Sequence, residues 1–118
     1  MKFAVIGSNT SKSLSPKLSN LIYNQINKTH SYTFLEVNDN HLDAVISRLK
    51  KNELNGINIT APLKTTIIPY LDSIDPFSIN IGAINCVKSI DGHLKGYNTD
   101  YYGFKKLVEI HNIDFINK

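Results

Sequence analysis

A polar loop after the first apolar run holds serine and lysine side chains that could bind an anion. It reads SNTSKSLSP and follows Gly7. A nucleotide-binding loop of the form G-x-x-x-x-G-K-[ST] needs a second glycine before its lysine, so that backbone N–H groups can surround phosphate oxygens. Here Ser11 stands before Lys12, and the spacing from Gly7 is one residue short. The sequence therefore disfavours a phosphate-binding loop.

Ser13 and Ser15 offer a different kind of anion site. Residues two apart in an extended segment project to the same side, and Pro16 is a typical first-turn residue of a helix. The N-terminus of a helix favours a negative charge, so the two hydroxyls are suited to a carboxylate. Ser15 is equally well explained as the N-cap of that helix.

Lys64 and Asp100 are the residues best suited to proton transfer. We expect Lys64 to lie in the first turn of a helix that begins near Pro62, where the helix dipole disfavours a cation and favours loss of its proton. Such a lysine suits general acid and base chemistry, and a carboxylate nearby would orient it. The alternatives are a solvated surface lysine and, for Asp100, an acid that only stabilises a first helical turn capped by Asn98 or Thr99.

The elements that must position these residues follow an α/β pattern, because β-branched apolar runs alternate with segments of helical period. We expect a three-layer α/β/α domain on a mostly parallel mixed sheet, with an antiparallel hairpin at Asp91-Gly92. The predicted strands are Lys2 to Ile6, Tyr32 to Val37, Gly56 to Thr60, Ala83 to Lys88, and His93 to Tyr97. The predicted helices run from Pro16 to Asn27 and from Asn40 to Lys51, and two more begin near Pro62 and Thr99. The second helix points four apolar side chains inward: Leu42, Val45, Ile46 and Leu49.

Polar residues cluster where the predicted strands end. In open α/β sheets, ligands bind beyond the carboxyl ends of parallel strands, so these residues are expected to meet at one rim. They are Ser13, Ser15, Asn58, Thr60, Lys64, Asn85 and the segment Asn98-Thr99-Asp100. Hydroxyls, amides, one lysine and one carboxylate together suit a small, polyhydroxylated, anionic ligand.

Composition and charge exclude several classes of protein. The chain has 118 residues, of which 42% are hydrophobic and 19% charged, as in an ordinary globular domain with its own core. Its net charge of +3 arises from basic residues interspersed with acids, which argues against nucleic-acid binding. No apolar run is long enough to cross a bilayer. The four histidines and Cys86 lack metal-ligand spacing, so we expect no metal site.

The expected location is the cytoplasm. The N-terminal residues MKFAVIGS enter a strand-like run directly and lack the features of a secretory signal. The single cysteine, Cys86, cannot form an internal disulfide, which agrees with a reducing compartment.

Four segments in this order resemble shikimate dehydrogenase over nearly the whole chain. They are SLSP at residues 13–16, GINITAPLK at 56–64, GAIN at 82–85 and GYNTDYYGF at 96–104. The resemblance is to the N-terminal, substrate-binding domain of that family, and implies that residues 1–118 are such a domain.

The resemblance implies an activity and a role for each site residue. The family reduces 3-dehydroshikimate to shikimate with NADPH, on the route to chorismate and the aromatic amino acids. By this likeness Ser13 and Ser15 hold the substrate carboxylate, and Lys64 and Asp100 form the catalytic pair. The ring hydroxyls would be bound by Asn58, Thr60, Asn85 and Asp100. Asp75 falls near a position that contacts the cofactor in relatives, and a homodimeric parent protein is compatible with the likeness.

The chain departs from the family pattern in three places. Ser19 stands where the family usually has His, and Cys86 where it usually has Thr. No G-x-G-x-x-G segment occurs, so the NADP-binding Rossmann domain is absent from this chain. We therefore expect an excised domain that has no NADPH-dependent turnover by itself.

Other functions remain open on the sequence. A quinate/shikimate dehydrogenase that uses NAD would carry similar segments. A non-catalytic module that binds a shikimate-like acid would need the rim but not the lysine's chemistry. A P-loop nucleotide-binding protein is the third alternative, and the missing second glycine argues against it.

Overall fold

A six-stranded mixed sheet organises residues 1–112, the part of the chain that the computed structural model describes. The strands lie in the order β2-β1-β3-β5-β6-β4. Their bounds are β1 Lys2–Gly7, β2 Ser31–Glu36, β3 Gly56–Ile59, β4 Ser73–Ile74, β5 Cys86–Ile90 and β6 His93–Tyr97. Neighbours are parallel except at β5, which runs antiparallel to both β3 and β6. The predicted fold class, α/β on a mostly parallel mixed sheet, is thereby confirmed.

The hairpin that reverses the chain between β5 and β6 turns at Asp91 and Gly92, as predicted. Both residues have positive φ, 50° and 81°, as a two-residue type I′ turn requires. Ile90 pairs with His93 beside the turn, and Cys86 pairs with Tyr97 at the other end. The residues before β5 and after β6 consequently meet at one edge of the sheet.

Four α-helices accompany the sheet in the described part of the chain: α1 Ser15–Gln25, α2 Leu42–Lys50, α3 Pro76–Ile79 and α4 Thr99–Ile110. The α2 face predicted to point inward does so, because Leu42, Val45, Ile46 and Leu49 are all buried. They pack into a core with alternate residues of the strands, among them Ile6 and Ile57. α1 lies beside edge strand β2, where Asn20 hydrogen-bonds the backbone of Tyr32, and its Tyr23 packs against Phe3 on the opposite face of the sheet. The predicted start of the last helix at Thr99 is confirmed.

Two predicted elements differ in the structure. The helix expected from Pro62 is wrong: residues 61–67 form turns, and a short 3₁₀ turn covers Ile68–Tyr70. Pro69 explains this, since it lacks an N–H and its ring would clash with the carbonyl four residues before it. The strand expected from Ala83 begins only at Cys86, because the N–H of Ile84 is directed to the carbonyl of Lys64 at 2.8 Å.

Candidate active site

An open cleft of about 570 Å³ lies beyond the carboxyl ends of β1 and β3. The structure brings seven of the eight site residues predicted from the sequence to its wall. These are Ser13, Ser15, Asn58, Thr60, Lys64, Asn85 and Asp100. Its lining is largely hydroxyls and amides with lysines and one carboxylate, a surface that complements a small hydroxylated anion.

Lys64 and Asp100 are in contact at the wall of the cleft, with Lys64 Nζ 3.2 Å from Asp100 Oδ2. The helix-dipole argument for Lys64 is wrong, because no α-helix begins at Pro62. Lys64 is positioned instead through its backbone, because its carbonyl accepts a hydrogen bond from the N–H of Ile84 in the loop before β5. Asp100 stands in the first turn of α4, where an acid is favourable. The pair is thus an ammonium and a carboxylate at hydrogen-bonding distance.

Asn98 caps the helix that carries Asp100. Its side-chain oxygen accepts a hydrogen bond from the Tyr101 N–H at 3.0 Å, which confirms one of the two predicted caps. The Asn98 amide nitrogen also donates to the carbonyl of Ala83 at 3.0 Å. A single side chain therefore fixes the start of α4 against the loop that holds Asn85.

Ser13 and Ser15 lie together at the wall of the cleft, at the start of α1. The interpretation of Ser15 as the helix N-cap is wrong, since α1 begins at Ser15 itself and Leu14 holds the cap position without a side-chain bond. Ser13 acts as the acceptor, because its hydroxyl oxygen receives the Ser15 N–H at 3.2 Å. Two hydroxyls beside the first turn of a helix remain a suitable setting for a carboxylate.

Two residues bond to the cleft asparagines, and sequence reasoning had found one of them. Thr99 donates its N–H to Asn85 Oδ1 at 2.8 Å and accepts from Asn85 Nδ2 at 2.9 Å. Tyr32 donates its hydroxyl to Asn58 Oδ1 at 2.7 Å. Thr99 was among the rim residues expected from the sequence, whereas Tyr32 lies in an ordinary strand pattern that gave no signal and was missed.

Gly7 allows β1 to pass close to Thr60 at the floor of the cleft. Its φ of 150° lies in a region that side chains disfavour, and a Cβ there would overlap the Thr60 side chain and lie 3.0 Å from the Ala61 carbonyl. The Thr60 N–H donates to the carbonyl of Ile6 at 2.9 Å. Gly7 therefore permits this close contact because it has no side chain, and it is not part of a phosphate-binding loop.

Asp75 does not line the cleft. It precedes α3, and its carboxylate accepts a hydrogen bond from Ser78 Oγ at 3.3 Å. The predicted role of Asp75 toward a cofactor stays a prediction.

Two groups behind Asn58 are neutral at ordinary pH. Burial raises the pKa of the Cys86 thiol. Burial, followed by repulsion from Tyr23 and Cys86 in their ionised forms, raises the pKa of Tyr32 to about 12. No cluster of three metal-ligating side chains occurs within residues 1–112. In that same range no helix has the length and apolar character needed to cross a membrane.

Comparison with known proteins decides the family. A family model described as the shikimate dehydrogenase substrate binding domain matches residues 5–87. The chain belongs to this family. The match extends from the second half of β1 to the first part of β5. This range contains six of the predicted site residues: Ser13, Ser15, Asn58, Thr60, Lys64 and Asn85.

Relatives extend the match to nearly the whole chain. An NADP(+) shikimate dehydrogenase of Staphylococcus aureus is 43% identical over 106 residues, which are 90% of this chain and 40% of that protein. The shikimate 5-dehydrogenase of Listeria monocytogenes, solved in complex with shikimate and NAD, superposes with a TM-score of 0.88 at 32% identity, over 99% of this chain and 40% of the other. That of Thermus thermophilus, solved with NADP(H) and shikimate, has a TM-score of 0.80 at 33% identity, over 97% and 43%. This substrate-binding domain thus spans about two fifths of the length of the relatives it matches.

Proposed function

We propose that residues 1–118 are the substrate-binding domain of an NADP-dependent shikimate dehydrogenase, and that they carry its proton-transfer pair. The reaction is the reversible reduction of 3-dehydroshikimate to shikimate. One observation carries the proposal: Lys64 Nζ and Asp100 Oδ2 lie 3.2 Å apart in a cleft whose other polar residues are mainly hydroxyls and amides.

The residues of the cleft divide into binding and proton transfer. Ser13 and Ser15 hold the carboxylate beside the first turn of α1, where the helix dipole adds to the attraction. Asn58, Thr60, Asn85 and Asp100 hydrogen-bond the ring hydroxyls. These contacts place the ring ketone beside Lys64.

Lys64 supplies the proton of the reaction. Reduction adds a hydride to the ketone carbon, and the resulting oxygen takes a proton from the Lys64 ammonium group. In the reverse direction the neutral amine removes the proton from the hydroxyl. Asp100 orients Lys64 and accepts from the same substrate region, so both act where charge develops.

The residues of this chain do not fit NADP by themselves. The loop after β1 contains Gly7 but no second glycine. Thr60 and Ala61 lie close to the backbone at Gly7, where a pyrophosphate would need unobstructed N–H groups. The hydride would come from NADPH held mainly by a further domain, with Asp75 as the contact that this chain contributes.

A second function is a binding module for a shikimate-like acid without catalysis. It would need only the hydroxyls, amides and lysine that line the cleft. In such a module Lys64 would bind the ligand as a cation and transfer no proton.

Titration of shikimate into the 118-residue chain tests the proposal. We expect one binding site by calorimetry, weakened about tenfold or more when Ser13 and Ser15 are both replaced by Ala, because the carboxylate loses two hydroxyls. Ser47→Ala, in α2 and away from the cleft, is the matched control. No binding at millimolar shikimate, or equal weakening by the control, would contradict the proposal. NADPH-dependent turnover by this chain alone would overturn its assignment as a domain that depends on another for the hydride.

A further inference from the structure

Tyr32 lies outside the cleft but holds one of its side chains, since its hydroxyl donates to Asn58 Oδ1 at 2.7 Å. We propose that Tyr32 is a positioning residue that fixes the Asn58 amide with its nitrogen toward the cleft, so that Asn58 acts there only as a hydrogen-bond donor to a ligand oxygen. The consequence for the ligand rests on the proposed function, whereas the orientation of the amide does not.

The sheet brings the tyrosine to Asn58 from behind. Tyr32 on β2 pairs with Phe3 on β1, which pairs with Gly56 on β3, two residues before Asn58. The tyrosine side chain therefore reaches diagonally across the middle strand. On the same face of β1, Phe3 lies in register with Tyr32, and Val5 lies in register with Asn58.

Tyr32 belongs to a second cavity, a largely apolar groove of about 660 Å³ on the sheet face that carries α1. Phe3, Tyr23 and Cys86 line the same groove, and Asn58 lines both the groove and the cleft. The phenol thus approaches Asn58 from the apolar side and occupies its oxygen there. The amide nitrogen makes no hydrogen bond within residues 1–112, and the polar side of Asn58 is the cleft.

The phenol is well suited to hold this geometry. Two hydrogen bonds with the Asn20 side chain, at 2.9 and 3.1 Å, anchor the backbone of Tyr32 to α1. Burial raises the pKa of Tyr32 to about 12, so the hydroxyl keeps its proton and remains a donor throughout the neutral range. A flipped amide would exchange this O–H···O bond for an N–H···O bond to the phenolic oxygen, and the flip is disfavoured because a phenol is a better donor than acceptor.

The side-chain amide of Asn85 is also held with its oxygen occupied, in this case by Thr99. Thr99 occupies its oxygen through the backbone N–H and receives one of its amide hydrogens. Both asparagines therefore offer N–H groups to a ligand, and the matching ligand groups are hydroxyl or ketone oxygens that accept.

A double-mutant cycle on shikimate binding to the full chain tests the coupling. We expect Tyr32→Phe to raise Kd about threefold to tenfold, the range for one hydrogen bond, and to have no further effect when Asn58 is already Ala. Tyr23→Phe removes a hydroxyl from the same groove that does not bond Asn58, and is expected to leave Kd unchanged. Equal effects of Tyr32→Phe in both backgrounds would contradict the proposal, because they would show a general loss of structure.

A measurement without ligand separates this inference from the proposed function. The side-chain amide resonances of Asn58 should shift in Tyr32→Phe and stay in place in Tyr23→Phe. Unchanged resonances in Tyr32→Phe would overturn the positioning role. If the wild-type chain binds no shikimate but the resonances shift as expected, the proposed function fails and the orientation of Asn58 by Tyr32 stands.

Discussion

Lys64 Nζ and Asp100 Oδ2 lie 3.2 Å apart, although 36 residues separate them in the chain. The two side chains are 39% and 68% exposed, and an ion pair of that exposure contributes little to stability, between about 0 and 1 kcal/mol. Loss of either side chain therefore reports on chemistry rather than on folding.

Lys64→Ala in a full-length dehydrogenase that carries this domain should lower kcat by about 10² to 10⁴, the usual contribution of a general acid or base. The KM for shikimate should change only a few-fold, because hydroxyls and amides make most of the contacts. Steady-state reduction of NADP⁺ with shikimate as the substrate measures both constants. Lys12→Ala is the matched control, since Lys12 also lines the cleft but has no proposed role. Near-normal kcat in Lys64→Ala would leave the binding module as the better function.

Gly7→Ala should destabilise the chain by about 1 to 3 kcal/mol, because the new Cβ combines a disfavoured φ with overlap at Thr60. It should also weaken shikimate binding, since Thr60 must move. Gly103→Ala provides the contrast: this glycine lies inside α4 with open space around it, so alanine should stabilise by about 0.5 to 1 kcal/mol. Urea unfolding measures the stability of both variants. Equal unfolding midpoints for Gly7→Ala and the wild type would show that the backbone at Gly7 relaxes freely.

Asn98→Ala should cost about 2 kcal/mol. The substitution removes the cap of α4, and it leaves the carbonyl of Ala83 without the donor that it has in the structure. Asn24→Ala, at an exposed position of α1, should stay within about 0.5 kcal/mol of wild type. Thermal and urea unfolding measure the difference, and equal stabilities would refute the role of the cap.

Stability should fall on the alkaline side as Tyr32 ionises. The folded pKa of Tyr32 is raised from 10.0 to about 12 by burial, so its contribution is fully present below pH 10. As pH rises from 10 toward 12, the unfolded chain loses the proton first and the contribution is lost.

Tyr32→Phe should flatten this decline in unfolding experiments between pH 9 and 12. Part of the slope should remain, because the pKa of Tyr70 is also raised, by a hydrogen bond to Asp43, and that of Tyr102 by burial. Superimposable curves for wild type and variant would show that Tyr32 ionises equally readily in both states.

The sequence predicted those elements whose patterns are local. β6 was predicted with its observed bounds, and the buried face of α2 follows directly from helical spacing. The two-residue strand β4 is too short to leave a pattern. The expected helix after Pro62 failed because Pro69 and the β-branched residues before it compete with the start signal.

The composition of the cleft was predictable for a similar reason. Residues that follow parallel strands meet at one edge, which predicted that Ser13, after β1, lies at the same cleft as Lys64, after β3. The bond from Tyr32 to Asn58 was not predictable, because it crosses β1 diagonally and depends on the register between three strands. The pairing of Thr99 with Asn85 likewise requires both ends of the hairpin to be in place.

The turn at Asp91-Gly92 lies four residue pairs from the pair of Cys86 with Tyr97, which is roughly 14 Å at about 3.4 Å per residue. An inserted residue in this turn would slide one strand along the other, move Asn85 away from Thr99, and exchange the faces of the shifted strand. Asp91 and Gly92, at the far end of the hairpin, therefore determine the width of the cleft on this side, although neither residue lines the cleft.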